Sequence, residues 1–370
     1  MRLFDRQTFS AVAALSGTII GVGFFSLPYI TVQVGFWAML GYFAVLGGMV
    51  IVIHWIFGEV ALNTPDFLRV PGYAKIYFGE RGKRIALIST ILGTYGAILA
   101  YLIIGGKFLE NSVSPFFGGS YLLYGLIYFF LGSLFIYFGI KPIAKICFFE
   151  LAIFLGILIL FFFSGYQLFK VENLLTGLSL KNFFLPYGPI LFSLWGAAMI
   201  PEIEEMLGEK KNLLKKVIVL SVLIPIFLYL LFAILVAGIS GPKTTIDAIS
   251  GLAGFLGKKI VVFGLFVGIV TTFTSFVALG ITLRKVFSYD LKIPKVPAFL
   301  MVCFVPLILF LIGMTDFLKV ISFIGGTMMG IEGILIVLMY HKIKKKKAVV
   351  FPLVLILLGG IIYELVNFIK

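Results

Sequence analysis

The chain alternates long apolar runs with short polar connections, and the run lengths set its architecture. A helix needs about 20 apolar residues to cross the hydrocarbon of a bilayer. Eleven runs predict spanning helices: residues 8–34, 36–58, 84–111, 120–140, 143–168, 186–207, 214–239, 258–284, 297–315, 318–340 and 349–369. The longest polar connection, LNTPDFLRVPGYAKIYFGERGK at 62–83, holds an amphipathic fragment with Phe67, Leu68, Tyr73, Ile76, Tyr77 and Phe78 between charges. That pattern predicts a helix along the inner membrane face. Its outer counterpart, GPKTTIDAISGLAGFLG at 241–257, reads as a lid. Neither connection is long enough to fold alone, so residues 1–370 form one membrane domain.

Composition agrees with lipid as the solvent. Hydrophobic residues make up 61% of the chain and charged residues 12%, about half the charged share of a soluble domain. The 41 Phe and 16 Tyr suit a chain that meets acyl tails and interfaces. A net charge of +14 would suggest nucleic acid if it formed one surface. Instead the basic residues sit in clusters between apolar runs, and 22 of the 30 Lys and Arg fall on the side of the N-terminus. The positive-inside rule then predicts a cytoplasmic N-terminus, an outside C-terminus and location in the cell membrane. The run Lys342, Lys344, Lys345, Lys346 and Lys347 reads as a cytoplasmic loop beside anionic lipid. Cys147 and Cys303 lie in apolar segments, where a structural disulfide is not expected. Pro28 and the lack of a small-residue cleavage site argue against a signal peptide.

Two of the runs contain residues that spoil helices. The first reads SGTIIGVGFFSLPY at 16–29, with three glycines and a proline. It admits a GxxxG helix contact (Gly17, Gly21), a damaged nucleotide fingerprint starting at Gly21, or a break around a ligand. The fingerprint reading fails because no strand or βαβ context surrounds it. The GxxxG reading can coexist with a break. The sixth run reads ILFSLWGAAMIPEIEE, with Gly196, Ala197 and Ala198 ahead of Pro201. An offset of five spans means the second copy enters the membrane from the opposite side. Paired interruptions of this kind point to an inverted-repeat transporter, against the alternative of two ordinary helices kinked at proline.

The pattern GTIIGVGFFSLP resembles the opening signature of the amino acid–polyamine–organocation superfamily. ILFSLWGAAMIPEIEE, RVPGYAKIYFGERG and TYGAILAYLIIGGKFLEN are similar to segments of its amino acid permease branches, which include the amino acid/auxin and the hydroxy and aromatic amino acid permeases. The resemblance runs from residue 8 to about 340. It implies an all-α polytopic, LeuT-like fold with a five-plus-five inverted repeat. Repeat one would cover about 8–170 and repeat two about 186–340, with spans 1 and 6 unwound and an extra C-terminal helix at 349–369. Trp195 and Ala197 stand where eukaryotic relatives often carry polar or charged residues, so substrate preferences do not carry over from those relatives.

On that fold an unwound turn frees backbone N–H groups at one half-helix and C=O groups at the other, with the dipole charges to match a zwitterion. The expected carboxylate seat is the amides of Gly21, Val22 and Gly23. The expected ammonium seat is the carbonyls of Thr18, Ile19, Phe192, Ser193 and Leu194. Phe24, Tyr95, Trp195, Met199, Thr327 and Met328 are the expected side-chain pocket, with Tyr101 packed against lipid or neighbouring helices. No charge lies at either break, which favours a neutral, large apolar or aromatic L-amino acid. The expected function is secondary active symport. A transporter-like sensor, or a carrier of another small amine or zwitterion, is the alternative.

The coupling ion stays open between sodium and a proton, and no other cofactor is implied. Thr271, Thr274 and Ser275 share a face of span 8; with the carbonyls of Gly17 and Ile20 they could hold sodium, although Ser and Thr also bond back to their own helix. Glu150, Glu202 and Glu332 are the carboxylates placed to carry a proton; Glu150 could equally pair with Lys145. An enzyme is not expected: His54 and His341 are the only histidines, and no metal or nucleophile motif accompanies them. His54 reads as a packed or interfacial residue. The expected partners are a small-molecule substrate and the bilayer, with no nucleic acid, in a monomer or weak dimer.

Overall fold

The structure is a computed structural model that describes residues 5–64, 68–139, 145–175 and 177–369. Helices occupy all eleven predicted stretches. They are α1 (Arg6–Ile19) and α2 (Leu27–Val34), then α3 (Phe36–Leu62), α4 (Val70–Phe117), α5 (Tyr121–Phe138) and α6 (Lys145–Gly165). After them come α7 (Tyr187–Leu194) and α8 (Ile200–Leu207), α9 (Leu214–Ser240), α10 (Lys258–Lys285), α11 (Lys295–Leu311), α12 (Phe317–Lys344) and α13 (Lys347–Ile369). Among the described residues, 8 helical stretches are long and apolar enough to cross a bilayer, or 9 with the bent pair α1 and α2. Large apolar side chains such as Phe138 and Phe163 are exposed, as a lipid-facing surface requires.

The two interrupted spans follow one plan. In the first, α1 stops at Ile19 and Ile20 adopts φ −74°, ψ 83°. The Gly21 N–H then bonds the Ile19 carbonyl at 2.8 Å, which is the i to i+2 bond of an inverse γ-turn. A 3₁₀ turn over Gly23–Ser26 leads into α2, with Pro28 in its first turn. The two halves are bent by 54°. In the sixth, α7 stops at Leu194, Trp195 is extended, and a 3₁₀ turn over Ala197–Met199 leads into α8, with Pro201 in its first turn. Proline is tolerated there because first-turn N–H groups have no intrahelical partner.

From Val70 onward the polar connection forms the first part of α4, set off from the spanning part by Gly79 at φ 67°. This arm docks rather than floats. Tyr73 is fully buried and meets the Phe57 ring edge-on at 5.6 Å, and the Tyr77 and Thr64 hydroxyls are 2.7 Å apart. Phe67 of the expected amphipathic fragment lies outside the described residues. The connection at 241–257 is tied to α4 through the 2.6 Å bond from Asn111 to the Ser250 hydroxyl.

Ion pairs gather on the face that carries the N-terminus. Asp5 pairs with Lys210, and Glu59 pairs with both Lys215 and Lys344. Lys210 and the Thr8 amide hold the Asp5 carboxyl down at about 2, so that tie is formed throughout the neutral range. α13 packs on α12 at a π-helical turn, Ile324–Met328. There the backbone of α7 meets that of α12 directly: a Cβ on Gly325 would lie 1.9 Å from the Gly188 carbonyl oxygen.

Candidate functional site

The two breaks meet in the middle of the bundle, and side chains from three other helices satisfy their freed backbone. Tyr229 of α9 is fully buried. Its hydroxyl lies 2.9 Å from the Ile19 carbonyl and 3.2 Å from the Ser193 carbonyl, one from each break. Tyr101 of α4 turns its hydroxyl oxygen to the Val22 N–H at 3.2 Å. His54 of α3 is also fully buried. Its Nδ1 is 2.8 Å from the Val50 carbonyl and its Nε2 is 2.8 Å from the Gly196 amide nitrogen. A carbonyl only accepts and an amide only donates, so the imidazole is neutral with its proton on Nδ1. Unwound backbone inside a bilayer needs such partners, because lipid supplies none.

These contacts revise the sequence reading of individual residues. Tyr95 does not reach the breaks: its hydroxyl donates to the Met301 carbonyl at 3.0 Å and its ring lies near Phe287. Tyr101, six residues on and so on another face of α4, is the tyrosine of this helix whose hydroxyl reaches the first break. Of the two readings given to His54, packed or interfacial, the structure shows the packed one, with the side chain a partner of the second break. Gly23 is held by packing, since a Cβ there would lie 2.4 Å from the Ser193 hydroxyl and 2.8 Å from the Phe192 ring. The Gly21 amide is already used within its own turn. Thr327 is buried and bonds the Phe323 carbonyl, and Met328 packs near Gly93. Neither borders the cavity described next. Leu194 is buried, Met199 is half-buried and Thr18 is exposed, bonding back to the Ala14 carbonyl at 2.8 Å.

A narrow cleft of about 20 Å³ opens beside the first break. Ile20, Gly21 and Phe24 form one wall, Tyr101 and Phe154 two others, and α10 contributes Thr271, Thr272 and Ser275. Phe24 is the hinge of an aromatic cluster, 4.4 Å from Phe154, 5.7 Å from Tyr229 and 5.1 Å from Phe232 between ring centres. Of the residues expected around a coupling cation, Ile20, Thr271 and Ser275 border this cleft. Gly17 and Thr274 do not; Thr274 donates to the Thr271 carbonyl at 2.9 Å. Thr271 donates to the Val267 and Gly268 carbonyls, both at 3.1 Å. A hydroxyl that donates backwards still has oxygen lone pairs to offer.

The expected proton carriers are in unlike places. Glu332 of α12 lies beside Trp195, whose indole Nε1 is buried. The Trp195 ring in turn meets the His54 ring edge-on at 5.3 Å. Glu202 is 3.8 Å from Arg69 with its side chain 37% exposed, while its Oε2 is buried without a hydrogen bond among the described residues. The Glu150 side chain lies outside the described set.

Comparison with known proteins decides the lineage. The profile of the tryptophan/tyrosine permease family matches residues 5–367. The chain belongs to that family. Similar curated proteins include tyrosine-specific transport systems 1 and 2 of Haemophilus influenzae. Identity is 26% over 250 residues with the first, which covers 63% of this chain and 58% of that protein. It is 26% over 246 residues with the second, covering 64% and 59%. The chain therefore aligns with somewhat under two thirds of either relative. Among solved structures it resembles MhsT in complex with L-phenylalanine, with a TM-score of 0.66 at 12% identity, covering 98% of both chains. It also resembles Mhp1, a nucleobase-cation-symport-1 family transporter in a closed conformation with bromovinylhydantoin bound. That match has a TM-score of 0.65 at 13% identity, covering 89% of this chain and 76% of that one. At such identities the likeness shows the fold, which is the LeuT-like fold implied by the sequence motifs. Membership of a permease family also sets the chain among transporters rather than enzymes.

Proposed function

We propose that this permease is a secondary transporter of large neutral, aromatic L-amino acids that works by alternating access, with its N-terminus in the cytoplasm and its C-terminus outside. The observation that carries this reading is the meeting of two broken helices, where the carbonyl ends of both and the Val22 amide, held by the Tyr101 hydroxyl, come together. A zwitterion fits that arrangement. Its carboxylate belongs at the Val22 amide beside the Tyr101 hydroxyl, and its ammonium at the Ile19 and Ser193 carbonyls. The aromatic wall of Phe24 and Phe154 suits an aromatic side chain. The names of the curated relatives, which are tyrosine transport systems, favour the same substrate class. The two breaks would then be equivalent points of two inverted repeats, at about 8–170 and 186–340.

Two seats are proposed for the coupling ion. The Ile20 carbonyl with the Thr271 and Ser275 hydroxyls offers a hard cation such as sodium an all-oxygen set. Glu332, at the end of the chain that runs through Trp195 and His54 to the second break, offers a proton a carboxylate. The function is tested in proteoliposomes with labelled L-tyrosine, L-tryptophan and L-phenylalanine, under sodium and pH gradients imposed separately. Gradient-driven uptake of at least one is the expected result; no uptake of any under either gradient overturns the reading.

A further inference from the structure

The Tyr229 hydroxyl stands on the two carbonyls at which the proposed reading seats the substrate's ammonium. α1 and α7 both end at this point, and a helix C-terminus carries about half a negative charge. Two such ends facing each other inside a bilayer need a hydrogen-bond donor at all times. Tyr229 supplies one, at 2.9 Å and 3.2 Å, but it is a neutral hydroxyl with a single proton for two carbonyls. An ammonium brings three protons and a positive charge, and charge-assisted bonds are roughly twice as strong as neutral ones. The ring that carries the hydroxyl is confined by Phe24 at 5.7 Å and Phe154 at 6.2 Å. The hydroxyl can therefore be pushed aside only by moving α9 or the aromatic cluster.

We propose that Tyr229 is a built-in competitor for the ammonium seat: its hydroxyl holds the Ile19 and Ser193 carbonyls when no substrate is bound, and an incoming amino acid displaces it. This rests on the reading that an amino acid binds at the breaks. Its consequence is selectivity. A ligand without a cationic nitrogen cannot displace the hydroxyl and gains nothing from the two helix ends. Displacement also transmits the arrival of substrate to α9.

The test measures equilibrium binding by the purified full chain of L-tyrosine, L-tryptophan and L-phenylalanine, each beside its deaminated analogue, such as 3-phenylpropionate for L-phenylalanine. Tyr229→Phe keeps the ring and removes the competitor. The amino acid that binds should bind about 3- to 10-fold tighter, the worth of one neutral hydrogen bond, while the deaminated analogue is unchanged. 3-Fluorotyrosine placed at position 229 keeps the fold and makes the hydroxyl a stronger donor, so it should weaken amino acid binding about 2- to 3-fold. Weaker or unchanged amino acid binding in Tyr229→Phe overturns the proposal, as does a shift shared equally by the analogue. If the phenylalanine variant does not fold, unchanged or tighter binding by the fluorotyrosine protein overturns it. Failure of the unaltered protein to bind any of the three amino acids overturns the functional reading beneath it, which is a separate result.

Discussion

His54 shows how much a single side chain settles at the second break. Its Nε2 is the acceptor for the Gly196 amide and its Nδ1–H is spent on the Val50 carbonyl. Replacing it with leucine keeps the volume roughly and leaves that amide buried without an acceptor, at a cost of about 1–3 kcal/mol. His54→Leu should therefore lower the thermal midpoint in detergent, and His54→Gln, whose side-chain carbonyl can accept, should recover part of the loss. Equal midpoints for the leucine variant and the unaltered protein would show that the bond contributes nothing. Residues of this kind were not legible in the sequence. A histidine or tyrosine in an apolar run looks the same whether it faces lipid, an interface or another helix's backbone. Tyr95 and Tyr101 make the point, because both are buried and only the packing of α4 shows which hydroxyl reaches the Val22 amide. Tyr229 gave no local signal at all, since its meaning comes from two carbonyls 210 and 36 residues away in the chain.

At the scale of elements the sequence was far more informative, for a physical reason. Lipid cannot solvate a peptide group, so each crossing must be a long apolar helix, and any break must be marked by residues that tolerate one. Gly21 and Gly196 with Pro28 and Pro201 carried that mark: both spans unwind at the glycines, and each proline stands in the first turn of the half-helix that follows. The close crossing of α7 and α12 was hidden, because Gly188 and Gly325 look like any other glycines in a membrane helix. A Cβ on Gly188 would lie 2.2 Å from the Ser322 carbonyl oxygen, and backbone cannot step aside as a side chain can. Gly188→Ala and Gly325→Ala should each destabilise the protein by about 2 kcal/mol or more, within the range for overpacked cores. Gly359 in α13 has nothing within 4 Å of an added Cβ, so Gly359→Ala should be neutral or gain up to about 1 kcal/mol from helix propensity. Thermal unfolding of the three variants side by side checks the contrast, and a Gly359→Ala loss equal to the others would remove the crossing as the cause.

On the scale of the whole molecule, the proposed transport needs a gradient tied to the breaks, and the two proposed seats make opposite demands. The cleft seat joins the first break, through the Ile20 carbonyl, to α10, through Thr271 and Ser275. A sodium ion there would hold two separate elements together in one conformation and leave them free in the other, which is what coupling requires. Thr271→Val with Ser275→Ala removes both hydroxyl oxygens at little change in volume. If sodium drives transport, this double variant should lose sodium-stimulated uptake while keeping exchange of labelled for unlabelled amino acid across the membrane. The proposed Glu332 seat would act on the other break, which the Trp195 ring links to it through His54 and Gly196. There a proton lost or gained changes the charge that faces the indole N–H. If a proton drives transport, Glu332→Gln should abolish uptake driven by an inward pH gradient and likewise spare exchange. Each variant is the other's control, because both sit beside a break and both leave the Ile19 and Ser193 carbonyls untouched. Loss of exchange in a variant would place that residue in substrate binding rather than coupling. Retention of gradient-driven uptake in both would exclude the two seats together and move the coupling ion away from the breaks.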